Sequence, residues 1–250
     1  MTNPLIYPIG ATAASRYAAA FLAQAGLPLV DHPTPEVTHL LLDVPSFGPD
    51  GALRGGGALE KILETLPQYI TGAGGNLDHP ALDGYRKIDL RQDADYIAEN
   101  AAITADCALQ VAAPLLTCTL SRSPALVIGW GRIGKCLSQL LKAIGNDVTI
   151  AARKPADRAM VQALGYTAAD PSLLADLSRY RVIFNTAPAP VLDREQLALC
   201  KNCVKIELAS KKGLDCGDVV WARGLPGVYA PETSGRLIAD TLIRLLKERS

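Results

Sequence analysis

The chain has 250 residues, which is enough for one large domain or two small ones and for an apolar core without disulfide or metal cross-links. With 49% hydrophobic and 20% charged residues it is an ordinary globular sequence, which excludes disordered, collagen-like and coiled-coil proteins. The 25 basic and 25 acidic residues cancel, which argues against a protein that binds nucleic acid or anionic membranes through a general basic excess.

Short apolar runs alternate with amphipathic helical stretches along the chain, the pattern of βα units on a parallel sheet, so the predicted fold class is α/β. In the first part of the chain the pattern predicts strands over residues 5–9, 38–44 and 68–71, and helices over residues 12–25 and 59–66. Three consecutive glycines at 55–57 predict a loop, because they cannot hold a helix interior. A long helix is predicted from residue 93 to about residue 116.

The most informative motif follows a predicted strand at 125–128 and reads Gly129-Trp130-Gly131-Arg132-Ile133-Gly134. Its glycines fit a dinucleotide-binding turn: the first permits the tight turn, the second lets a pyrophosphate approach, and the third lets the following helix pack closely. The N-terminus of that helix offers N–H groups and a positive dipole to phosphates. With a further strand at 147–150, the motif predicts a dinucleotide site in this turn.

The end of that next strand bears on which dinucleotide binds. An NAD site places Asp or Glu there for the ribose hydroxyls, whereas this chain has Ala151-Ala152-Arg153-Lys154, so NADP(H) is favoured over NAD(H). Predicted strands at 182–184 and 204–208 also end in polar segments, at the sheet edge where such folds bind ligands. The predicted cofactor contacts at these strand ends are Ala152, Arg153, Lys154, Asn185, Thr186, Ala187, Pro188, Ala209 and Ser210.

Two familiar catalytic arrangements are missing. A 2-hydroxyacid dehydrogenase of this plan uses a histidine after the glycine motif, but His32, His39 and His79 all precede it. A shikimate-type reductase uses a Lys–Asp pair from its first domain, but Lys61 and Lys87 stand in no recognisable setting. Any acid/base catalysis must therefore come from a different arrangement of residues.

Several segments within residues 93–248 together resemble the A subunits of bacterial dipicolinate synthase. They are the glycine motif, Phe184-Asn185-Thr186-Ala187-Pro188, Leu208-Ala209-Ser210-Lys211-Lys212-Gly213-Leu214-Asp215, and Gly224-Leu225-Pro226-Gly227-Val228-Tyr229-Ala230-Pro231-Glu232-Thr233-Ser234-Gly235. The segment Asn100-Ala101-Ala102-Ile103-Thr104-Ala105-Asp106 is similar to a helix of that family, with Asp106 in place of Glu. Before residue 93 the similarity is limited to Val44-Pro45-Ser46.

The resemblance implies two Rossmann-like domains with parallel sheets and a C-terminal helix that returns to the first domain. The corresponding boundaries are a shortened substrate-side domain at 1–95, a connecting helix at 96–120, a dinucleotide-binding domain at 121–228 and the returning helix at 229–250. The charge also divides near residue 120, with 6 basic and 13 acidic residues before it and 19 and 12 after it. A positive second half suits a polyanionic cofactor.

The resemblance also implies a function: NADP-dependent oxidation of 4-hydroxy-tetrahydrodipicolinate to dipicolinate with loss of water, in sporulation, alongside a second, flavoprotein-like subunit. Because this reaction creates an aromatic pyridine, we expect the protein mainly to position a small dicarboxylate against the cofactor, with modest acid/base help. Two alternatives stay open: an NADP-dependent oxidoreductase for another small carboxylate, and a dinucleotide-binding partner subunit without chemistry of its own.

Substrate carboxylates call for basic, hydroxyl or backbone N–H groups. The candidate substrate contacts are Ser46, Arg54, Asn100, Thr104, Lys211 and Thr233. Asp106 is the predicted proton acceptor, and Lys211 is the second candidate catalytic residue. Solvated loop positions for Arg54 and Lys211, packing for Asn100 and Thr104, and a helix cap for Thr233 with Ser234 are the alternatives.

No uncharged stretch is long and apolar enough to span a bilayer, and the first fifteen residues lack the features of a secretory signal. We therefore expect a cytoplasmic protein without a membrane partner, and a homodimer on general grounds. Six cysteines fit that compartment as reduced thiols, and Cys200-x-x-Cys203 is interpreted as structural because no second pair and no later histidine accompanies it. No metal site is predicted.

Overall fold

The computed structural model describes residues 4–174 and 176–248, and the chain divides into two compact α/β units. Unit 1 comprises the described residues up to Asn100 together with those from Pro226 onwards, and unit 2 comprises Ala101–Leu225. Each unit contains one parallel sheet, which confirms the α/β class predicted from the alternating pattern.

Unit 1 contains four parallel strands in the order β1-β2-β3-β4. Two helices, α3 and α7, cross its boundary with unit 2. Its elements are β1 (Ile6–Pro8), α1 (Ala13–Gln24), β2 (His39–Leu41), α2 (Leu59–Leu63), β3 (Thr71–Gly74), β4 (Arg86–Asp89), α3 (Ala94–Ala112), α7 (Leu225–Tyr229) and α8 (Pro231–Glu248).

The C-terminal helix α8 completes the core of unit 1. Its buried Ile238 and Leu242 pack in one cluster with Ile6 of β1 and Leu22 of α1. Gly235 lies so close to α1 that a side chain there would clash with Tyr17. These contacts confirm the predicted return of the C-terminal helix to the first part of the chain.

Unit 2 contains six parallel strands in the order β10-β9-β8-β5-β6-β7. Its elements are β5 (Ala125–Ile128), α4 (Arg132–Ala143), β6 (Val148–Ala151), α5 (Pro155–Ala163), β7 (Thr167–Ala169), β8 (Val182–Asn185), α6 (Arg194–Ala198), β9 (Val204–Glu207) and β10 (Val219–Trp221). The chain runs outward from β5 through β6 and β7, then crosses to β8 on its other side. In sheets of this kind, ligands bind outside the carboxyl ends of the strands at that reversal.

Three sequence-based predictions differ from the structure. The strand predicted at residues 68–71 is wrong, because β3 begins only at Thr71. The apolar pattern did not indicate β3, since two of its four residues are glycines, which are poor strand formers. Gly74 is required there, since a Cβ would lie 2.6 Å from the Ser46 hydroxyl oxygen. The cap predicted at Thr233 and Ser234 is also wrong, because α8 begins at Pro231 and places both residues inside the helix.

The third difference is that the short strands β4, β7 and β10 were not predicted. Charged residues interrupt β4, small residues make up most of β7, and β10 is only three residues long. In the described part of the chain, no helix has the length and apolar character needed to cross a membrane.

Candidate functional site

The turn between β5 and α4 is built around Gly129 and Gly134. Gly129 has a φ of +104°, and a side chain there would clash with the Thr186 hydroxyl. A side chain at Gly134 would clash with the Gly129 carbonyl oxygen. Both glycines are therefore required by the turn itself, as the motif predicts.

Packing does not require glycine at 131, since nothing in the described chain lies within 4 Å of where its Cβ would be. It is the N-cap of α4, and no side chain caps that helix. The first N–H groups of α4 therefore face open space at the carboxyl edge of the sheet, an arrangement that suits an anion. Trp130 flanks the turn, with Lys135 Nζ 5.7 Å from its ring centre and Tyr166 edge-on to it.

Arg158 holds the backbone of the segment that follows β6. Its guanidinium donates hydrogen bonds of 2.8 and 2.6 Å to the carbonyl oxygens of Ala152 and Arg153, and it forms an ion pair of 3.0 Å with Asp170. Arg153 and Lys154 are themselves exposed. Their backbone is thus fixed while their cationic side chains face solvent, in a position to meet an anionic ligand.

The ends of β8 and β9 meet through two buried polar side chains. The Asn185 amide donates to both carboxylate oxygens of Glu207, at 2.8 and 3.1 Å, and both residues are fully buried. Thr186 donates a hydrogen bond of 2.9 Å to the Ile128 carbonyl, which ties the end of β8 to the glycine turn. Sequence reasoning missed Glu207; the available signal was a carboxylate at the end of β9, a strand that also contains the apolar residues Val204 and Ile206.

Ser46 and Arg54, both predicted substrate contacts, are brought together in unit 1, where the Arg54 N–H donates to the Ser46 carbonyl at 2.9 Å. The Ser46 side chain is fully buried: its hydroxyl donates to the Asp43 carbonyl at 2.8 Å and accepts from the Gly75 N–H at 3.2 Å. Arg54 is exposed. Its guanidinium is therefore the accessible group of the pair.

The predicted residues on α3 do not share one face. Thr104 is buried and Asn100 partly buried, whereas Asp106 is exposed and accepts a hydrogen bond of 2.8 Å from the Gln110 side chain. Asp106 lies about 200° around the helix axis from Thr104. Lys211 and Thr233 are both exposed, the first in the loop after β9 and the second in the first turn of α8. Their roles, like those of the other proposed contacts, stay predictions.

The turn after β1 in unit 1 differs from its counterpart in unit 2. The Asp43 carboxylate, buried at the end of β2, accepts hydrogen bonds from the backbone N–H groups of Ala11 and Thr12 at 3.0 and 3.1 Å. It also accepts from the hydroxyls of Thr12, at 2.6 Å, and Ser15. An internal anion therefore occupies the start of α1.

The cysteines are all free in the structure. Cys200 and Cys203 lie in the apolar core of unit 2, and burial raises the pKa of the Cys203 thiol to about 12. The pKa of Cys200 is also raised, mainly by burial. Within residues 4–174 and 176–248, no group of three or more His, Cys, Asp or Glu side chains is placed to hold a metal ion.

The parallel sheets, the order reversal at β5 and the glycine turn define the chain as an α/β protein with the Rossmann-like fold of dehydrogenases. In sequence it is 27% identical over 183 residues to the A subunit of dipicolinate synthase from Bacillus subtilis (strain 168), a match that covers 69% of this chain and 62% of the relative. The match thus spans less than two thirds of that relative's length. The resemblance predicted from the motifs is confirmed.

The solved structures agree on the fold. The A subunit of dipicolinate synthase from Bacillus halodurans superimposes with a TM-score of 0.82 at 24% identity, covering 98% of both chains. The transhydrogenase from Sinorhizobium meliloti superimposes with a TM-score of 0.71 at 18% identity, covering 91% of this chain and 79% of that one. No protein-family profile matches the chain.

Proposed function

We propose that the protein is an NADP-dependent oxidoreductase that converts 4-hydroxy-tetrahydrodipicolinate to dipicolinate with loss of water. The observation that carries the proposal is the open, uncapped start of α4 at Gly131, with the cations Arg153 and Lys154 at the neighbouring strand end. The N–H groups of α4 suit a pyrophosphate, and the two cations suit a 2′-phosphate.

The residues of unit 2 have separate roles in this proposal. Gly129, Trp130, Gly131, Arg132 and Ile133 would hold the pyrophosphate, and Ala152, Arg153 and Lys154 the adenosine 2′-phosphate. The segment Asn185 to Pro188, with Ala209 and Ser210, would hold the nicotinamide, whose chemistry is to accept the hydride. The residues present fit the cofactor because the turn offers donors and space where the phosphates need them.

The substrate part of the proposal rests on similarity to proteins named as the A subunit of dipicolinate synthase. The exposed guanidinium of Arg54 is the proposed carboxylate contact in unit 1, with Ser46 shaping its loop. We also propose Asn100, Thr104, Lys211 and Thr233 as substrate contacts, and Asp106 with Lys211 as the groups that move protons. A second, flavoprotein-like subunit and a homodimer complete the proposal.

The experiment is turnover of freshly generated 4-hydroxy-tetrahydrodipicolinate with NADP⁺, following the aromatic absorbance of the product and NADPH together. We expect both signals to rise in equal amounts and NAD⁺ to support a slower reaction. Turnover of a different small carboxylate alone would keep the cofactor and replace the substrate. No turnover, with or without the second subunit, despite NADPH binding would instead identify a binding subunit without chemistry of its own.

A further inference from the structure

A fully buried carboxylate, Glu207, lies at the end of β9 and accepts hydrogen bonds from the Asn185 amide and from three backbone N–H groups. One of its oxygens accepts from the Asn185 amide at 2.8 Å and from the Ala209 N–H at 3.2 Å. The other accepts from the same amide at 3.1 Å, from the Gly213 N–H at 2.7 Å and from the Leu214 N–H at 3.2 Å. Glu207 therefore joins the end of β8 to the start and the middle of the loop that follows β9, residues 208–218.

These hydrogen bonds require a carboxylate, and a side chain of the same shape with a different hydrogen-bonding pattern would not replace it. Both oxygens of a carboxylate accept hydrogen bonds, whereas glutamine has one accepting oxygen and one donating NH₂ group. In either orientation, a glutamine at this position would turn its NH₂ group toward at least two of the N–H donors. An isosteric Glu207→Gln change would therefore release one side of the loop.

The same loop is held on its outer side by two further contacts. The Trp221 indole N–H donates to the Ala209 carbonyl at 3.3 Å, and Arg223 donates to the Ser210 carbonyl at 2.8 Å. Gly213 completes the fit, because a side chain there would clash with the Ala189 carbonyl oxygen and the Asn185 amide. The loop after β9 thus has its position fixed by side chains on both faces.

The sheet order separates this loop from the cations that suit a 2′-phosphate. β8 and β9 lie on one side of β5, whereas β6, which leads to Arg153, lies on the other. We infer that Glu207 is a positioning residue for the nicotinamide end of the cofactor: it fixes the segments after β8 and β9, and hence the alignment of the nicotinamide with the substrate. The inference rests on the proposed function.

The experiment compares Glu207→Gln with Glu195→Gln, the same change at an exposed residue of unit 2. Binding of adenosine 2′,5′-bisphosphate, which lacks the nicotinamide, should be unchanged in both variants. In Glu207→Gln alone, the fluorescence anisotropy of bound NADPH should fall toward that of free NADPH. Its kcat should fall about 100-fold, the loss expected from a displacement of about 1 Å between reacting groups.

A second variant, Glu207→Asp, tests the same idea if Glu207→Gln does not fold. It keeps the charge but withdraws the carboxylate by one methylene group from the Asn185 amide and the three backbone donors. The same selective loss at the nicotinamide is expected. Unchanged anisotropy and kcat in the folded variants, or equal losses with NADPH and the bisphosphate, would overturn the inference and leave the proposed function intact. A wild-type protein that binds neither ligand would overturn both.

Discussion

Helices α1 and α4 each directly follow the first strand of their unit in chain order, but their starts differ in whether a side chain of the protein binds the turn. In unit 1 the Asp43 carboxylate accepts hydrogen bonds from the N–H groups of Ala11 and Thr12, which directly precede α1, and from two hydroxyls. In unit 2 the start of α4 has no side-chain cap, and the space beside Gly131 is open. The turn of unit 1 is thus bonded to a carboxylate of the chain itself, whereas the turn of unit 2 is left open, as the proposed binding of an anionic cofactor requires.

The difference separates the proposed binding site of unit 2 from the structural turn of unit 1. The fold provides donors at both helix starts, but only a chain that withholds its own acceptor leaves them available to a ligand. In unit 2, α5 also starts without a side-chain cap, whereas α6, on the other side of the sheet reversal, carries a complete capping box from Asp193 and Gln196. In unit 2, the uncapped helices α4 and α5 follow β5 and β6, the strands next to the proposed phosphate contacts.

The largest expected effect is on the closed turn of unit 1. Replacing Asp43→Ala should lower the free energy of unfolding by roughly 4 kcal/mol, because several buried donors lose their acceptor. Urea denaturation followed by circular dichroism measures it. Asp50→Ala, at an exposed carboxylate that accepts one backbone N–H, is the matched control. Wild-type stability in Asp43→Ala would contradict the assignment of Asp43 as an internal anion.

A substitution at the open turn of unit 2 should have the opposite result, a loss of binding without a loss of stability. Gly131→Ala should leave the stability unchanged but weaken NADPH binding by about 3 kcal/mol, or roughly 100-fold, because a methyl group keeps the phosphate from the α4 donors. Isothermal titration measures the affinity. Gly217→Ala, where a Cβ also meets open space, should bind NADPH like the wild type. Equal affinity in both variants would remove the phosphate from this turn.

A smaller effect separates the two cofactors. Arg153→Ala should cost about 2 kcal/mol of NADPH affinity and leave NADH affinity nearly unchanged, since only NADPH carries the 2′-phosphate. The ratio of the two affinities is the measurement. Arg194→Ala, at an exposed arginine of α6, should leave that ratio as it is in the wild type. A parallel loss for both cofactors would show that the 2′-phosphate binds elsewhere.

The smallest expected effect is on the stability that the Asp93 carboxylate contributes at the more exposed start of α3 in unit 1. Asp93 accepts from the Tyr96 N–H at 2.8 Å at the start of α3 and from the Arg244 guanidinium at 2.6 Å. That guanidinium holds the pKa of Asp93 below its usual value of 3.8. Because the pKa is lower in the folded state, the stabilisation is complete above about that value and is lost as the pH falls through the folded-state pKa.

Replacing Asp93→Asn removes the charge and keeps a side chain that can cap the helix. The free energy of unfolding should fall by about 0.5 kcal/mol near neutral pH, since Arg244 is partly exposed, and the difference from wild type should vanish in acid. Thermal denaturation across pH measures it. Asp240→Asn, on the exposed face of α8, should show no such pH dependence.

The parts predicted well from sequence are those whose signals are local. The glycine turn sits between a continuous apolar strand and an amphipathic helix, so β5 was predicted at its observed bounds and a helix was predicted directly after the turn, where α4 lies. Helix α1 was similarly marked by its Thr12 cap and by Gly26, which has a positive φ. Local signals also placed the exposed cations after β6.

The parts missed depend on contacts distant in sequence. Glu207 and Asn185 are 22 residues apart, and Asp43 lies 32 residues from Ala11. No local pattern pairs such residues, so neither buried carboxylate could be assigned a role beforehand. Ser46 illustrates the same limit, because its hydroxyl bonds with Gly75, 29 residues away, and only the structure reveals that contact.

The return of α8 to α1 has a consequence for how the chain is made. Unit 1 is assembled from segments that flank the whole of unit 2, so Ile6 and Leu22 have no Ile238 or Leu242 to pack against until synthesis has passed unit 2. Domains generally fold as they leave the ribosome, N-terminal parts first. Here the order is reversed: unit 2 can close its sheet while the first helix still exposes an apolar face, a surface suited to chaperone binding.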